Sequence, residues 1–428
     1  MEGYRAGVVA PIEFVIGSNG PRPEASGPRC GRCRFLRWWT ASQDGDVTES
    51  LVIDREGVDA LINALADRGY EVVGPTVRGQ TILYDTITST DDLPVGLRDV
   101  QEAGTYRLEE RGDGALFGYV VGPQSFRRFT TPPGAVFWKG LRTDGGFETV
   151  APEEPPRYAF FGARPCEVAA LKVQDKVYGA VGDPVYAGRR NQAFTVAANC
   201  TEPAPTCFCD SMGTGPGVSE GYDIALTEVI DGDTHYILAE TGSEEGEEVL
   251  ASLAARNPAD EELVTAHRMV VRAAEHMGRF LDTDGLKEVL QENLENPYWD
   301  EIAKRCLSCT NCTLVCPTCF CSSVEDHMSL DGSEAERVRT WDSCFTLDFS
   351  YVNGGPVRPS PGPRYRQWLT HKLGSWQDQF GEIGCVGCGR CITWCPVGID
   401  ITKEAAEIRE RDVRRVAVGT PSVKEAAE

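Results

Sequence analysis

Apolar positions along the chain follow two rhythms. Up to about residue 243, short apolar runs are broken by Gly and Pro, and from 244 to 304 the period is helical. Tyr158-Ala-Phe-Phe161 and Ala193-Phe-Thr-Val-Ala-Ala198 read as buried strands, with shorter strands at 70–73, 81–85, 105–110 and 116–121. Val58, Leu61, Ile62 and Leu65 share one face of a helix over 55–67, and Gly69 stops it. Pro165 opens a second helix running through Leu171, which places Cys166 at its positive end, where a thiolate is favoured. Residues 222–239 read as a hairpin turning at Asp231-Gly-Asp233 and closing the sheet, with His235 at its surface. Stripes at Val249/Leu253, Leu263/Val270 and Leu286/Leu294 predict three linker segments, and Pro297 opens the helix leading to Arg305. The fold class expected is α+β. A Cys-bearing arm (1–50) precedes a mixed α/β domain (51–243), a helical linker (244–304), a cluster domain with a long insert (305–411) and a charged tail (412–428).

The cysteines change this picture most. The chain has 428 residues and 17 cysteines, a high count for a reducing compartment unless they bind metal. Cys306-Leu-Ser-Cys309-Thr-Asn-Cys312-Thr-Leu-Val-Cys316-Pro317 and Cys385-Val-Gly-Cys388-Gly-Arg-Cys391-Ile-Thr-Trp-Cys395-Pro396 share one spacing. It is the bacterial ferredoxin run, in which three cysteines wrap one cubane and the fourth serves a second. Cys306, Cys309 and Cys312, completed by Cys395, would hold one 4Fe-4S cluster. Cys385, Cys388 and Cys391, completed by Cys316, would hold the other. Zinc takes two C-x2-C pairs, and a third cysteine two residues on is hard to fit around one tetrahedral ion. The C-terminal region is therefore expected to be a bacterial-type 2[4Fe-4S] ferredoxin-like domain.

Four more cysteines sit at strand ends and on a Gly-rich loop: Cys166, Cys200, Cys207 and Cys209. They make a complete ligand set for a third 4Fe-4S cluster, although the spacing is not a ferredoxin signature. Zinc is the competing ligand, and either Cys207 or Cys209 could be a spectator. Arg164 either tunes this site or is solvated. Cys30 and Cys33 form a lone C-x2-C near Phe35, Trp38 and Trp39, readable as incidental, as half a metal site or as a redox dithiol. Cys319, Cys321 and Cys344 read as buried cysteines shielding the clusters, with a further site that includes His327 as the thinner alternative. The 68 residues between Cys316 and Cys385 form an insert that covers a face or docks a partner.

Charge and absent motifs exclude other classes. A net charge of −23 opposes binding to nucleic acid backbones. No stretch of eighteen apolar residues marks a membrane span, and the N-terminus does not read as a signal peptide, so a cytoplasmic location is expected. There is no P-loop, H-E-x-x-H or dinucleotide fingerprint. Clusters of this kind carry single electrons, so no catalytic residue is assigned.

The chain resembles the beta subunit of cytoplasmic, NAD(P)-linked NiFe hydrogenases, also called sulfhydrogenases. A neighbouring resemblance is to the corresponding electron-transfer component of anaerobic sulfite reductases. The stretches that carry it are Asp92-Leu-Pro-Val-Gly96, Thr105-Tyr-Arg-Leu108, Phe117-Gly-Tyr-Val-Val-Gly-Pro123, Gly162-Ala-Arg-Pro-Cys-Glu167, Asn199-Cys-Thr-Glu-Pro203, Cys207-Phe-Cys-Asp-Ser-Met-Gly-Thr-Gly-Pro216 and the dicluster part with Cys316-Pro-Thr-Cys-Phe-Cys321. The resemblance implies an electron-relay subunit with several 4Fe-4S clusters and neither flavin nor nickel. Its partners would be a flavin subunit that handles NAD(P) and the small and large subunits of a NiFe hydrogenase. The resemblance also strengthens the expectation of a third cluster at Cys166, Cys200, Cys207 and Cys209.

Overall fold

The computed structural model describes residues 49–151 and 154–412. Cys30 and Cys33, their aromatic neighbours and the tail from residue 413 lie outside the described residues.

In chain order the strands are β1 (Ser50–Ile53), β2 (Glu71–Arg78), β3 (Thr81–Thr86), β4 (Leu97–Glu102), β5 (Thr105–Glu110), β6 (Gly134–Thr143) and β7 (Gly146–Thr149). They continue with β8 (Tyr158–Ala163), β9 (Phe194–Ala198), β10 (Ile224–Asp231), β11 (Thr234–Thr241), β12 (Ser322–Met328) and β13 (Glu334–Trp341). A seven-stranded sheet runs in the order β1-β11-β10-β9-β8-β2-β3. Its centre, β10-β9-β8-β2, is parallel, and antiparallel partners flank it on both sides. Every residue of β8 and β9 is buried, the continuous apolar run that a strand covered on both faces needs. Because β8 and β9 are parallel, their carboxyl ends emerge at the same edge of the sheet, where Cys166 and Cys200 follow.

The predicted first helix spans Arg55–Asp67, and the Asp54 side chain caps it by accepting from Gly57 N at 2.9 Å. Val58, Leu61, Ile62 and Leu65 bury against Phe194, Val196 and Ala198 on one face. The Pro165–Gly179 helix covers the other face through Val168 and Leu171. The hairpin β10–β11 forms as predicted, but β1 pairs outside β11, so the hairpin does not close the sheet. The linker is helical at Glu244–Ala251, Asp260–Glu275, Leu286–Glu292 and Tyr298–Ala303. Its first two helices pack on the sheet through Val249, Leu250 and Ala266. Only the last two belong to the cluster core, through Leu286, Leu290, Tyr298, Trp299 and Ile302.

One further expectation fails for a physical reason. Residues 116–121 are buried but form no strand. Side chains satisfy their backbone instead: Glu228 accepts from Leu116 N (2.7 Å) and Phe117 N (2.8 Å), Asp99 accepts from Val120 N (2.5 Å), and Arg164 donates to the carbonyls of Phe117 and Tyr119. The strand expected at 105–110 forms as β5, but it is half of a hairpin whose other strand, β4, was not foreseen. In the insert, β12 and β13 form a hairpin that joins β6 and β7 in a second sheet, β12-β13-β6-β7. Both strands are largely polar and only partly covered, so no period-2 pattern announces them. The insert also carries a helix that starts at Pro361 and runs to Phe380, with a π-helical stretch at His371–Ser375.

Candidate metal centre

The two cysteine runs fold alike. In each, the second and fourth residues after the first cysteine take positive φ: Ser308 (50°) and Thr310 (68°) in one, Gly387 (64°) and Gly389 (75°) in the other. These turns curl the loop so that its backbone N–H groups face the sulfurs. Ser308 N lies 3.5 Å from Cys306 Sγ, and Gly387 N donates to Cys385 in the same way. The short helices Asn311–Leu314 and Arg390–Thr393 follow and pack on each other, with Asn311 Nδ2 donating to Trp394 O at 3.1 Å. Each helix carries the fourth cysteine across to the opposite loop.

The sulfurs of the two runs lie close together. Burial raises the Cys312 thiol, and the nearby Cys306, Cys395 and Cys309 sulfurs raise it further. Cys391 is likewise raised by burial and then by Cys385, Cys388 and Cys316. Cys306, Cys309, Cys312 and Cys395 line one cavity of about 30 Å³ together with Phe345, Tyr365 and Trp368. Burial also pushes the Cys385 thiol up to about 12. Thiols this reluctant to ionise lose their protons only to a cationic partner, and thiolate is the form that binds iron.

The third group assembles from distant segments. Cys166 opens the helix after β8, Cys200 follows β9, and Cys207 and Cys209 lie on the loop beyond. All four are buried. Burial raises every one of them, most strongly Cys166 and Cys209, so at Cys166 desolvation outweighs the expected help from the helix end. Cys209 is raised further by Cys207 and Cys200, and Cys166 by Cys388 and Cys209. Both Cys207 and Cys209 lie near Cys200. Gly215 passes close enough that an added Cβ would sit 3.1 Å from Cys209 Sγ.

The third group abuts the second run directly. Phe208 N donates to Gly387 O at 2.8 Å. A Cβ at Gly387 would sit 2.6 Å from the Cys209 backbone, and one at Gly389 would sit 2.5 Å from Thr206 O. Glycine is thus required twice at these sites, for positive φ and for close approach.

Buried cations surround the sulfurs, and most of them gave no sequence signal. Lys372 Nζ donates to Cys316 Sγ (3.3 Å), Thr318 Oγ1 (3.0 Å) and Gly384 O (3.0 Å). Three acceptors match the three donors of an ammonium. Burial opposes that charge, but the Cys316, Cys319 and Cys385 sulfurs more than offset it and raise the lysine. The Cys319 thiol donates to Cys316, and this bond together with Lys372 holds Cys316 well below the usual thiol range. Arg164, expected to be either tuning or solvated, is buried. It donates to Asn199 O (3.2 Å) and Phe117 O (2.7 Å) and lies beside Cys200. Arg390 pairs with Glu167, both fully buried, next to Cys388 and Cys166. Arg127 stacks 3.8 Å over the Trp341 ring near Cys319, Cys316 and Cys321. A thiolate-rich cluster is net anionic, and buried cations of this kind compensate it.

His327 does not join the extra cysteines. It lies exposed on β12, paired with Glu325, six residues along an extended strand from Cys321, which at about 3.3 Å per residue is about 20 Å. Cys319, Cys321 and Cys344 do come together, against Cys316 and Cys312. Among the described residues no three His, Cys, Asp or Glu converge as a single ion would require. Thiolates are soft ligands of the kind that iron–sulfur clusters take.

This arrangement defines an iron–sulfur protein of the dicluster type: residues 305–399 match the family model of a 4Fe-4S dicluster domain. The chain is also 33% identical over 320 residues to the "Sulfhydrogenase 2 subunit beta" of Pyrococcus furiosus, covering 73% of this chain and 91% of that relative. It belongs to the sulfhydrogenase beta-subunit family. No solved structure matches it. No helix among the described residues is long and apolar enough to cross a membrane.

Proposed function

We propose that this chain is the electron-transfer subunit of a cytoplasmic oxidoreductase complex. It relays electrons between a subunit that handles flavin and NAD(P) and the small and large subunits of a NiFe hydrogenase. The observation that carries this reading is the continuity of three four-thiol groups. Cys166 and Cys209 neighbour Cys388, Cys388 neighbours Cys391 and Cys316, and Cys391 neighbours Cys312. Cys306, Cys309, Cys312 and Cys395 would hold one 4Fe-4S cluster; Cys385, Cys388, Cys391 and Cys316 a second; Cys166, Cys200, Cys207 and Cys209 a third. When bound, the clusters supply one-electron carriers, and the residues around them set the potentials.

The chain's own groups act on each site in a distinct way. Ser308 and Gly387 point backbone N–H groups at sulfur, and Ile399 N donates to Cys395 Sγ at 3.3 Å. Lys372 and Arg164 place positive charge beside Cys316 and Cys200. Cys309 and Leu307 reach the surface beside the first set, a place for electrons to enter or leave. The assignment to a sulfhydrogenase-type complex rests on the similarity to the Pyrococcus furiosus protein.

The test is anaerobic isolation of the native complex, with iron, nickel and flavin quantified. Nickel and flavin alongside an iron-loaded chain support the reading. Sirohaem without nickel would reassign the partner to a sulfite reductase, and an iron-free chain would overturn electron transfer itself.

A further inference from the structure

Three described cysteines beside the clusters, Cys319, Cys321 and Cys344, belong to none of the three sets, and the last two are held against each other. Cys321 ends the loop after the first run, immediately before β12. The β12–β13 ladder runs to Ser322 opposite Trp341, and Asp342 N donates to Cys321 O at 2.9 Å one step further. The chain then folds back. Asp342 accepts from Ser343 N and Thr346 Oγ1, both at 2.6 Å, and Ser343 Oγ accepts from Phe345 N at 3.1 Å and from Thr313 Oγ1 at 2.7 Å. This pinned turn brings Cys344 against Cys321. Neither residue is fully buried.

The pair lies between two cluster sets. Cys344 neighbours Cys312 of the first. Cys321 neighbours Cys319, whose thiol donates to Cys316 of the second.

We propose that Cys321 and Cys344 form a redox-active dithiol–disulfide pair that exchanges two electrons with the flanking clusters, one electron with each. The proposal rests on the electron-transfer reading above. Closing the pair forms the Sγ–Sγ bond, breaks the Cys344 S–H bond and releases one proton and two electrons, with the Cys321 thiolate as the attacking sulfur. Clusters bound at the two flanking thiol sets would supply the one-electron acceptors. Opening reverses every term. A pair of this kind couples carriers that take one electron at a time to a two-electron store.

The test uses the full-length, iron-loaded chain purified anaerobically and poised with dithionite or with thionine. It is then quenched with N-ethylmaleimide and mapped by mass spectrometry, with iron measured on the same samples. The expected result is both cysteines alkylated in the reduced sample and a Cys321–Cys344 disulfide peptide in the oxidised one. Cys321→Ser and Cys344→Ser are expected to keep the full iron content and the cluster spectrum. Alkylation of both cysteines in the oxidised sample overturns the proposal. So does loss of iron in either serine variant, which would make these residues cluster ligands. An iron-loaded chain with both thiols free refutes the pair alone, whereas an iron-free chain refutes the electron-transfer reading and removes the pair's electron partners with it.

Discussion

The two cysteine runs have the same spacing and nearly the same backbone, but they occupy different surroundings. In the first, Ser308 and Thr310 take the left-handed turns, Cys309 is exposed and Leu307 faces solvent. In the second, Gly387 and Gly389 take them, pressed against the Cys209 and Thr206 backbone. The loop shape is thus set by the metal-binding pattern, and the choice of residue within it is set by what the loop touches. The outer run carries side chains at both turns, with Cys309 and Leu307 beside them exposed. The inner run requires glycine because the third thiol group leans on it.

That contrast is open to direct attack. Gly387→Ala or Gly389→Ala combines a Cβ inside backbone contact distance with an unfavourable φ. The expected loss is about 4 kcal/mol or more, read by denaturant unfolding, with iron lost from the second and third sets together. A substitution that leaves stability and iron intact would break the comparison. Lys372→Met should come next. It leaves Cys316 Sγ, Thr318 Oγ1 and Gly384 O without their shared donor, at a cost of about 2–4 kcal/mol. Removing the cation should also lower the reduction potential of the cluster held by the inner run more than that of the outer one, in a redox titration followed by EPR.

The pH dependence sharpens the same point. In the iron-free chain, the folded Cys385 thiol lies at about 12, above its unfolded value of about 8.5. A raised pKa contributes stability that is complete below the unfolded value and is lost as pH rises toward the folded one. The iron-free chain should therefore lose stability from about pH 8.5 upward, and Cys385→Ser should flatten that slope. The iron-loaded chain, whose thiolate is already formed, should lack the Cys385 contribution. Thermal unfolding across pH measures all three. The smallest effect belongs to the outer run: Ser308→Gly or Thr310→Gly relieves a left-handed non-glycine residue and should be neutral or stabilising by about 0–1 kcal/mol. A clear destabilisation there would show that these side chains do more than fill the loop.

The same difference explains what was legible in the sequence. The dicluster runs are local, so spacing alone marked the region that matches the 4Fe-4S dicluster family model. The buried parallel strands and the Arg55–Asp67 helix were legible because their apolar periods match their burial. The Cys166, Cys200, Cys207 and Cys209 group was visible as four cysteines at strand ends, but its contact with Cys388 depends on tertiary packing. The β12–β13 hairpin escaped because polar strands open to solvent carry no period. The stretch 116–121 misled in the opposite way: it is apolar enough for a strand, yet Glu228, Asp99 and Arg164 hold its backbone. Lys372 could not be foreseen, since a lysine on an insert helix normally faces water.

The most direct test of the account is the iron and acid-labile sulfide content of the full-length chain, purified and kept anaerobic, with Cys200→Ala measured beside it. About twelve irons per chain, falling to about eight in the variant, is the predicted result for three four-iron sites. About eight irons in both would contradict the third site, and a value near zero would contradict the electron-transfer reading as a whole.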